Sequence, residues 1–165
     1  MENVKALPMM SFGEAIKTCF QKYAKFSGRA RRSEFWWFYL LVGAVNGVLG
    51  WILQIFAAKK AALVSEAMSL SFSELDKLEA ISSQESSYAN INLILMILIG
   101  VWFLVTLLPF LAAHVRRLHD IGKSGWLLLL YLVCGVGGLI PLLMCIQDGK
   151  KEANEHGPSP KYVVE

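Results

Sequence analysis

Three stretches of the chain carry no Asp, Glu, Lys or Arg: Phe35–Ala58, Asn90–Ala113 and Gly125–Gln147, of 24, 24 and 23 residues. A hydrocarbon core of about 30 Å takes about 20 helical residues at about 1.5 Å rise each. Each run is long enough to cross. The pattern predicts an all-α integral membrane protein, a three-span helical bundle (35–58, 90–113 and 125–147) forming a single membrane domain over residues 1–165. Ahead of the first run, Ser11 and Glu14 have the spacing of a capping box, in which each side chain satisfies a backbone donor of the first helical turn. Phe12, Ile16, Cys19, Phe20, Tyr23 and Ala24 then recur at helical spacing, with Lys17, Lys22 and Lys25 on the other side. This predicts a basic amphipathic helix over 11–26 at the membrane surface, attracted to anionic lipid. A helix packed on the protein's own loops has the same pattern.

The polar intervals are uneven. Residues 59–89 form an expected outer loop, long for an unstructured connection. Ser71 and Glu74 offer a second capping box there, followed by Leu75, Leu78 and Ile81, so a short helix is expected. An extension of the first span through Ala61–Val64 is a further option. Pro109 predicts a kink near the end of the second span. The third run contains Gly135, Gly137, Gly138 and Pro141, which leave open a broken or re-entrant segment. Residues 148–165 are a polar tail with an irregular Gly157-Pro158-Ser159-Pro160 end.

Composition sharpens this. The chain of 165 residues is 55% apolar and 18% charged, against about 45–50% and about 25% for an ordinary soluble domain. A large water-soluble core, a secreted disulfide scaffold and a disordered chain are all disfavoured. The first run lies behind seven basic residues and reads as an uncleaved signal anchor. Of three cysteines, Cys134 and Cys145 are roughly 16 Å apart along a helix, too far for a disulfide, and four zinc-binding cysteines do not exist. Lys and Arg near span ends mark the cytoplasmic side. Residues 1–34 and the short loop with Arg116, Arg117 and Lys123 are basic, whereas 59–89 is acidic. The N-terminus is therefore expected to be cytoplasmic. Three full crossings would put the tail outside.

Span one carries Gly43, Asn46, Gly47 and Gly50 on one helical face. Small residues allow close helix approach and Asn46 can hydrogen-bond across it, so the face is a packing seam, a route to a homo-oligomer, or the wall of a polar pathway. Two charged motifs sit at the same expected depth: Phe26-Ser-Gly-Arg29-Ala-Arg31-Arg32-Ser-Glu34-Phe-Trp-Trp37, and Arg116-Arg117-Leu-His119-Asp120-Ile-Gly-Lys123-Ser-Gly-Trp126. The guanidinium fork suits carboxylate and phosphate alike. Glu34 is a natural partner for Arg116 or Arg117. Arg29, Arg31, Arg32, Arg116, Arg117, His119, Asp120 and Lys123 are candidates for an anionic lipid headgroup, or serve only as topology determinants and interhelical ion pairs. Catalysis and metal binding are weakly supported. His119 and Asp120, adjacent on a helix, do not face each other, and His114 and His119 lack the i, i+4 zinc spacing. Gly122-Lys123-Ser124 is not a nucleotide phosphate loop, because Arg117 stands where that motif needs glycine.

These two motifs, with Asn154-x-x-Gly157-Pro158-x-Pro160 in the tail, closely resemble the domain-of-unknown-function 805 family of small bacterial inner-membrane proteins, from about Phe20 to Pro160. The resemblance implies a compact multi-span protein of the bacterial inner membrane with no established activity. Family members are more compact over 59–89, which leaves that segment open as a partner-binding element. The shared tail motif suggests contact with the Arg/His cluster and hence a cytoplasmic C-terminus, against the charge count. The expectation is a non-enzymatic protein that binds anionic lipid or a protein partner, without cofactor, metal or nucleic acid. An oligomeric small transporter or channel and a headgroup-modifying membrane enzyme are the alternatives.

Overall fold

The computed structural model describes residues 4–70, 74–132 and 137–164. In chain order these form β1 (Val4–Ala6), α1 (Phe12–Gln21), α2 (Arg32–Ser69), α3 (Leu75–Asp120), a 3₁₀ helix (Gly125–Leu132), α4 (Leu139–Met144) and β2 (Tyr162–Val164). Two compact units divide the chain, Met1–Val42 with Val105–Glu165, and Gly43–Leu104; α2 and α3 run through both.

α2 and α3 are long and apolar enough to cross a membrane. Their 38 and 46 residues correspond to about 57 Å and about 69 Å of helix, well beyond a hydrocarbon core of about 30 Å. This corrects the expected outer loop. Residues 59–69 prolong α2 and 75–89 form the first turns of α3, not a separate short helix. The reason is local: residues 51–99 contain neither glycine nor proline, and good helix formers (Ala, Leu, Lys, Glu) punctuate them throughout. Of the second capping box, Ser71 lies outside the described residues. Within the Gly43–Leu104 unit, Phe56 packs on Tyr88 at 6.1 Å and Lys60 pairs with Glu85 at 3.6 Å. Val48, Trp51, Leu93, Met96, Ile97 and Leu104 are exposed, an apolar surface that a monomer in water does not sustain. Gly43, Gly47 and Gly50 have open space where a side chain would project, and Asn46 is exposed.

The other unit contains the core. α1 begins with the capping box: Ser11 N donates to Glu14 Oε2 at 2.9 Å and Glu14 N to Ser11 Oγ at 3.4 Å. Those bonds hold the Glu14 carboxyl below its ordinary value. The apolar face of α1 packs against the start of α2. Ala15 and Cys19 are fully buried, Phe12 meets Trp37 edge-on at 5.6 Å, and Phe20 meets Phe38 likewise. Cys19, Phe35, Phe38, Ala113, Leu118, Ile121 and Cys145 form one cluster. Cys19 and Cys145 are free thiols, and burial, with help from Glu34, pushes the Cys19 thiol up to about 12.

The expected third span is not one helix. Gly125–Leu132 is 3₁₀, Leu139–Met144 is a short α-helix, and residues 133–136, with Cys134 and Gly135, lie outside the described residues. At Gly138 the Tyr131 ring occupies the place of a side chain, 2.6 Å from where a Cβ would stand. Pro141 falls in the first turn of α4, where no intrahelical donor is missed. β2 pairs antiparallel with β1, Lys5 opposite Val163, so the two ends of the described chain lie together.

Candidate functional site

α3 ends in a Schellman motif. Gly122, at φ +74°, donates to His119 O at 3.0 Å, and Lys123 N donates to Leu118 O at 2.9 Å. This turn delivers the second charged motif to the first.

Arg29, Arg116 and Arg117 are buried with Glu34 and Asp120. Arg116 Nη2 donates to Glu34 Oε1 at 2.9 Å. Asp120 sits between two guanidinium groups, with Arg29 Nε on Oδ1 at 2.8 Å and Arg117 Nη1 on Oδ2. The remaining donors reach helix ends. Arg116 Nη1 donates to Lys22 O, the C-cap of α1, at 3.0 Å and to Lys25 O at 2.8 Å. Arg117 Nε donates to Cys145 O, the C-cap of α4, at 3.1 Å, and its Nη2 to Gln147 O. Arg29 Nη2 reaches Asp120 O, on α3, and Lys150 O; Arg29 Nη1 donates to Glu152 O at 2.8 Å. Three helix C-termini thus converge on three arginines. Each C-terminus carries roughly half a negative charge on its unsatisfied carbonyls, which accommodates the one cation that two carboxylates leave unmatched. Removing a single partner from such a group strands a buried charge.

The tail is held by neighbouring residues of the same two motifs. Arg31 Nη1 donates to Pro8 O at 3.2 Å and its Nε to Pro160 O. Asn154 and Gly157 exchange backbone bonds at 3.1 and 2.9 Å, and Asn154 Nδ2 donates to His119 O at 2.8 Å. That turn, with Gly157 at φ +115°, lays the His156 ring flat on His119, centroids 3.6 Å apart and planes 7° from parallel. At Gly149 a Cβ would overlap the Asp120 carboxylate, so the backbone needs glycine to approach it.

The sequence-derived candidates therefore divide. Arg29, Arg116, Arg117 and Asp120 are interior and bonded to the chain itself. Arg31 and His119 are half-buried; Arg32 and Lys123 are exposed. His114, fully buried, meets Phe35 edge-on at 4.5 Å and shares a 3.1 Å contact with Tyr131 Oη; it docks the 3₁₀ helix. Sequence reasoning passed over His156 and Glu155, and named Phe26 only as the first residue of a charged motif. The tail motif was the available signal for the first two, since they are its unspecified positions. With His119, Gly122, Lys123, Trp126 and Leu129 they line an open cleft of about 670 Å³. Among the described residues no group of three or more His, Cys, Asp or Glu is placed to hold a metal.

Comparison with known proteins gives the same motifs a family. Residues 23–158 match the model of the family described as "Protein of unknown function (DUF805)". The chain is 30% identical over 142 residues to inner membrane protein YhaI of Escherichia coli K12, covering 86% of this chain and 91% of the relative. It is 30% identical over 141 residues to inner membrane protein YhaH of the same strain, with the same coverage. No solved structure matches. The chain belongs to the DUF805 family.

Proposed function

As a member of that family this protein is, we propose, a non-enzymatic, multi-pass protein of the bacterial inner membrane. Its cytoplasmic cap, stapled internally by Arg29, Arg116 and Arg117, meets anionic lipid through the basic residues left outside. α2 and α3 make the two crossings, the segments 125–132 and 139–147 belong to a re-entrant layer, and both termini are cytoplasmic. The β1–β2 pairing supports an even number of crossings, and the basic flanks support the cytoplasmic side. α1 lies along the surface with Lys17 outward.

One observation carries the lipid reading. With the three arginines enclosed, exposed Lys5, Lys17, Lys25, Arg32, Lys123, Lys150 and Lys151 still outnumber exposed Glu14, Asp148, Glu152 and Glu155 among the described residues of this unit. Each basic residue near an anionic surface is worth about 1 kcal/mol, so the excess attracts phosphate headgroups without a dedicated pocket. The uncovered Gly43/Asn46/Gly47/Gly50 face is the seam for a second copy.

The test is native mass spectrometry of protein released from nanodiscs of phosphatidylcholine and phosphatidylglycerol. Retention of phosphatidylglycerol should fall in a Lys17→Ala, Lys25→Ala, Arg32→Ala variant and with added salt. Equal retention by wild type and variant overturns the reading.

A further inference from the structure

The cleft beside the stacked histidines has a chemistry of its own. Its apolar wall is Phe26, Val115, Leu128, Leu129 and Trp126, and its polar edge is His119, Lys123, Ser124, Glu155 and His156. A volume of about 670 Å³ is within the range of small-ligand sites, which pair apolar walls with a few convergent polar groups. The space is built. A Cβ at Gly125 would stand 2.8 Å from Val115 Cγ1 and 3.4 Å from His119 Nε2, so any larger residue there intrudes between wall and floor. The floor is rigid as well, because the Asn154–Gly157 turn fixes His156 and the Gly28 carbonyl lies 3.3 Å from His119 Nδ1. With Nδ1 carrying its proton toward that carbonyl, Nε2 is the acceptor nitrogen of the ring.

Charge specifies the occupant. Lys123 and Glu155 are both exposed, both line the cleft, and neither has an ion-pair partner among the described residues. An anion alone would meet Lys123 but also the Glu155 carboxylate. A cation alone would meet the reverse. A head with both charges satisfies both. On the apolar wall Trp126 and Leu129, with Leu132 further along the same helix, are all more than half exposed, where an acyl chain would lie.

We propose that this cleft holds one zwitterionic phospholipid whose head carries a phosphate, set toward Lys123, and a primary ammonium, set toward Glu155, with its apolar part along Phe26, Val115, Leu128 and Leu129. The proposal rests on the membrane-surface reading of the cap, but it concerns a single bound molecule and not the general attraction of basic residues for anionic lipid.

The test uses full-length protein in maltoside micelles with ¹³C-labelled histidine. Short-chain dihexanoyl phosphatidylethanolamine, phosphatidylcholine and phosphatidylglycerol are titrated separately, and the His119 and His156 ring resonances are followed, with His114 as internal reference. Phosphatidylethanolamine should give a saturable shift of the first two. Phosphatidylcholine, whose quaternary ammonium cannot donate to Glu155, should bind at least about tenfold more weakly, because a hydrogen bond to a charged group is worth about 1.5–3 kcal/mol. Glu155→Gln should abolish the preference for phosphatidylethanolamine over phosphatidylglycerol, and Lys123→Ala should weaken both. Equal binding of phosphatidylethanolamine and phosphatidylcholine, or an unchanged preference in Glu155→Gln, overturns the proposal. The Lys17, Lys25 and Arg32 variant separates the two readings, since none of those residues lines the cleft. Loss of anionic-lipid retention there with intact phosphatidylethanolamine binding leaves both standing. Intact retention with intact binding removes only the surface reading.

Discussion

The Tyr23 hydroxyl donates to the backbone carbonyl of Val105 at 2.8 Å. Val105 is the residue four before Pro109, which lies inside α3 and has no amide hydrogen to offer that carbonyl. The loop after α1 thus supplies, from 82 residues away, the donor that the helix itself lacks.

Tyr23→Phe should therefore cost about 1 kcal/mol, as for one lost intramolecular hydrogen bond. The loss should shrink in a Pro109→Ala background, where the helix restores its own donor. Thermal unfolding of the four proteins in detergent closes the double-mutant cycle. Equal losses in both backgrounds would mean that Tyr23 acts through some other contact.

Asp120 neutralises two buried arginines. Asp120→Ala should cost about 3–5 kcal/mol, the range for breaking a buried pair from one side, and yield little monodisperse protein by fluorescence-detected size exclusion. Arg116→Lys should also destabilise, because one ammonium cannot reproduce the fork that reaches Lys22 O, Lys25 O and Glu34.

Two glycines differ from a third. Gly149→Ala should destabilise strongly, since its Cβ would overlap the Asp120 carboxylate. Gly122→Ala combines a left-handed φ with a Lys150 side chain 2.6 Å away. Gly13, in the first turn of α1 with open space around it, should tolerate alanine and gain up to about 1 kcal/mol. Melting temperatures of the three variants rank them.

The tail contact should be pH-dependent. Lys161 Nζ lies 2.6 Å from Asp148 Oδ2 and holds that carboxyl below its ordinary 3.8. The contribution is present above pH 3.8 and is lost as pH falls through the lowered value. Lys161 is raised above 10.5 by the same bond, so its share persists below that pH and disappears as pH rises through the raised value. Hydrogen-exchange protection of the β1–β2 pair, corrected for intrinsic rates, should be greater at pH 6 than at pH 3. Asp148→Asn should flatten that difference.

If a second copy packs on the uncovered α2 face, Asn46→Cys should form a cross-linked dimer in membranes, and adding Gly43→Leu with Gly47→Leu should suppress it. Unchanged cross-linking would exclude that face.

Much of the secondary structure follows from short-range pattern. The Ser11–Glu14 box and the apolar lengths within α2 and α3 are written in residues a few positions apart. Capping, periodicity and hydrophobic length act over one or a few turns. The same locality explains why 59–89 is helical where its polarity suggests a loop: helix propensity without glycine or proline continues a helix whether or not lipid surrounds it.

The amino-acid sequence by itself determined that this chain has membrane-length apolar helices and two dense charged motifs. The solvent preference of a run depends on its own composition, and no partner is needed to read it. Only the tertiary structure decided what the charges do. Whether a guanidinium meets a phosphate or a carbonyl depends on which acceptors the fold brings within hydrogen-bond reach. For Arg29, Arg116 and Arg117 those acceptors include the ends of three helices and a tail up to 128 residues away. Enclosing the arginines in this way leaves Lys123 and Glu155 outside, at the rim of a cleft that no stretch of the sequence contains alone.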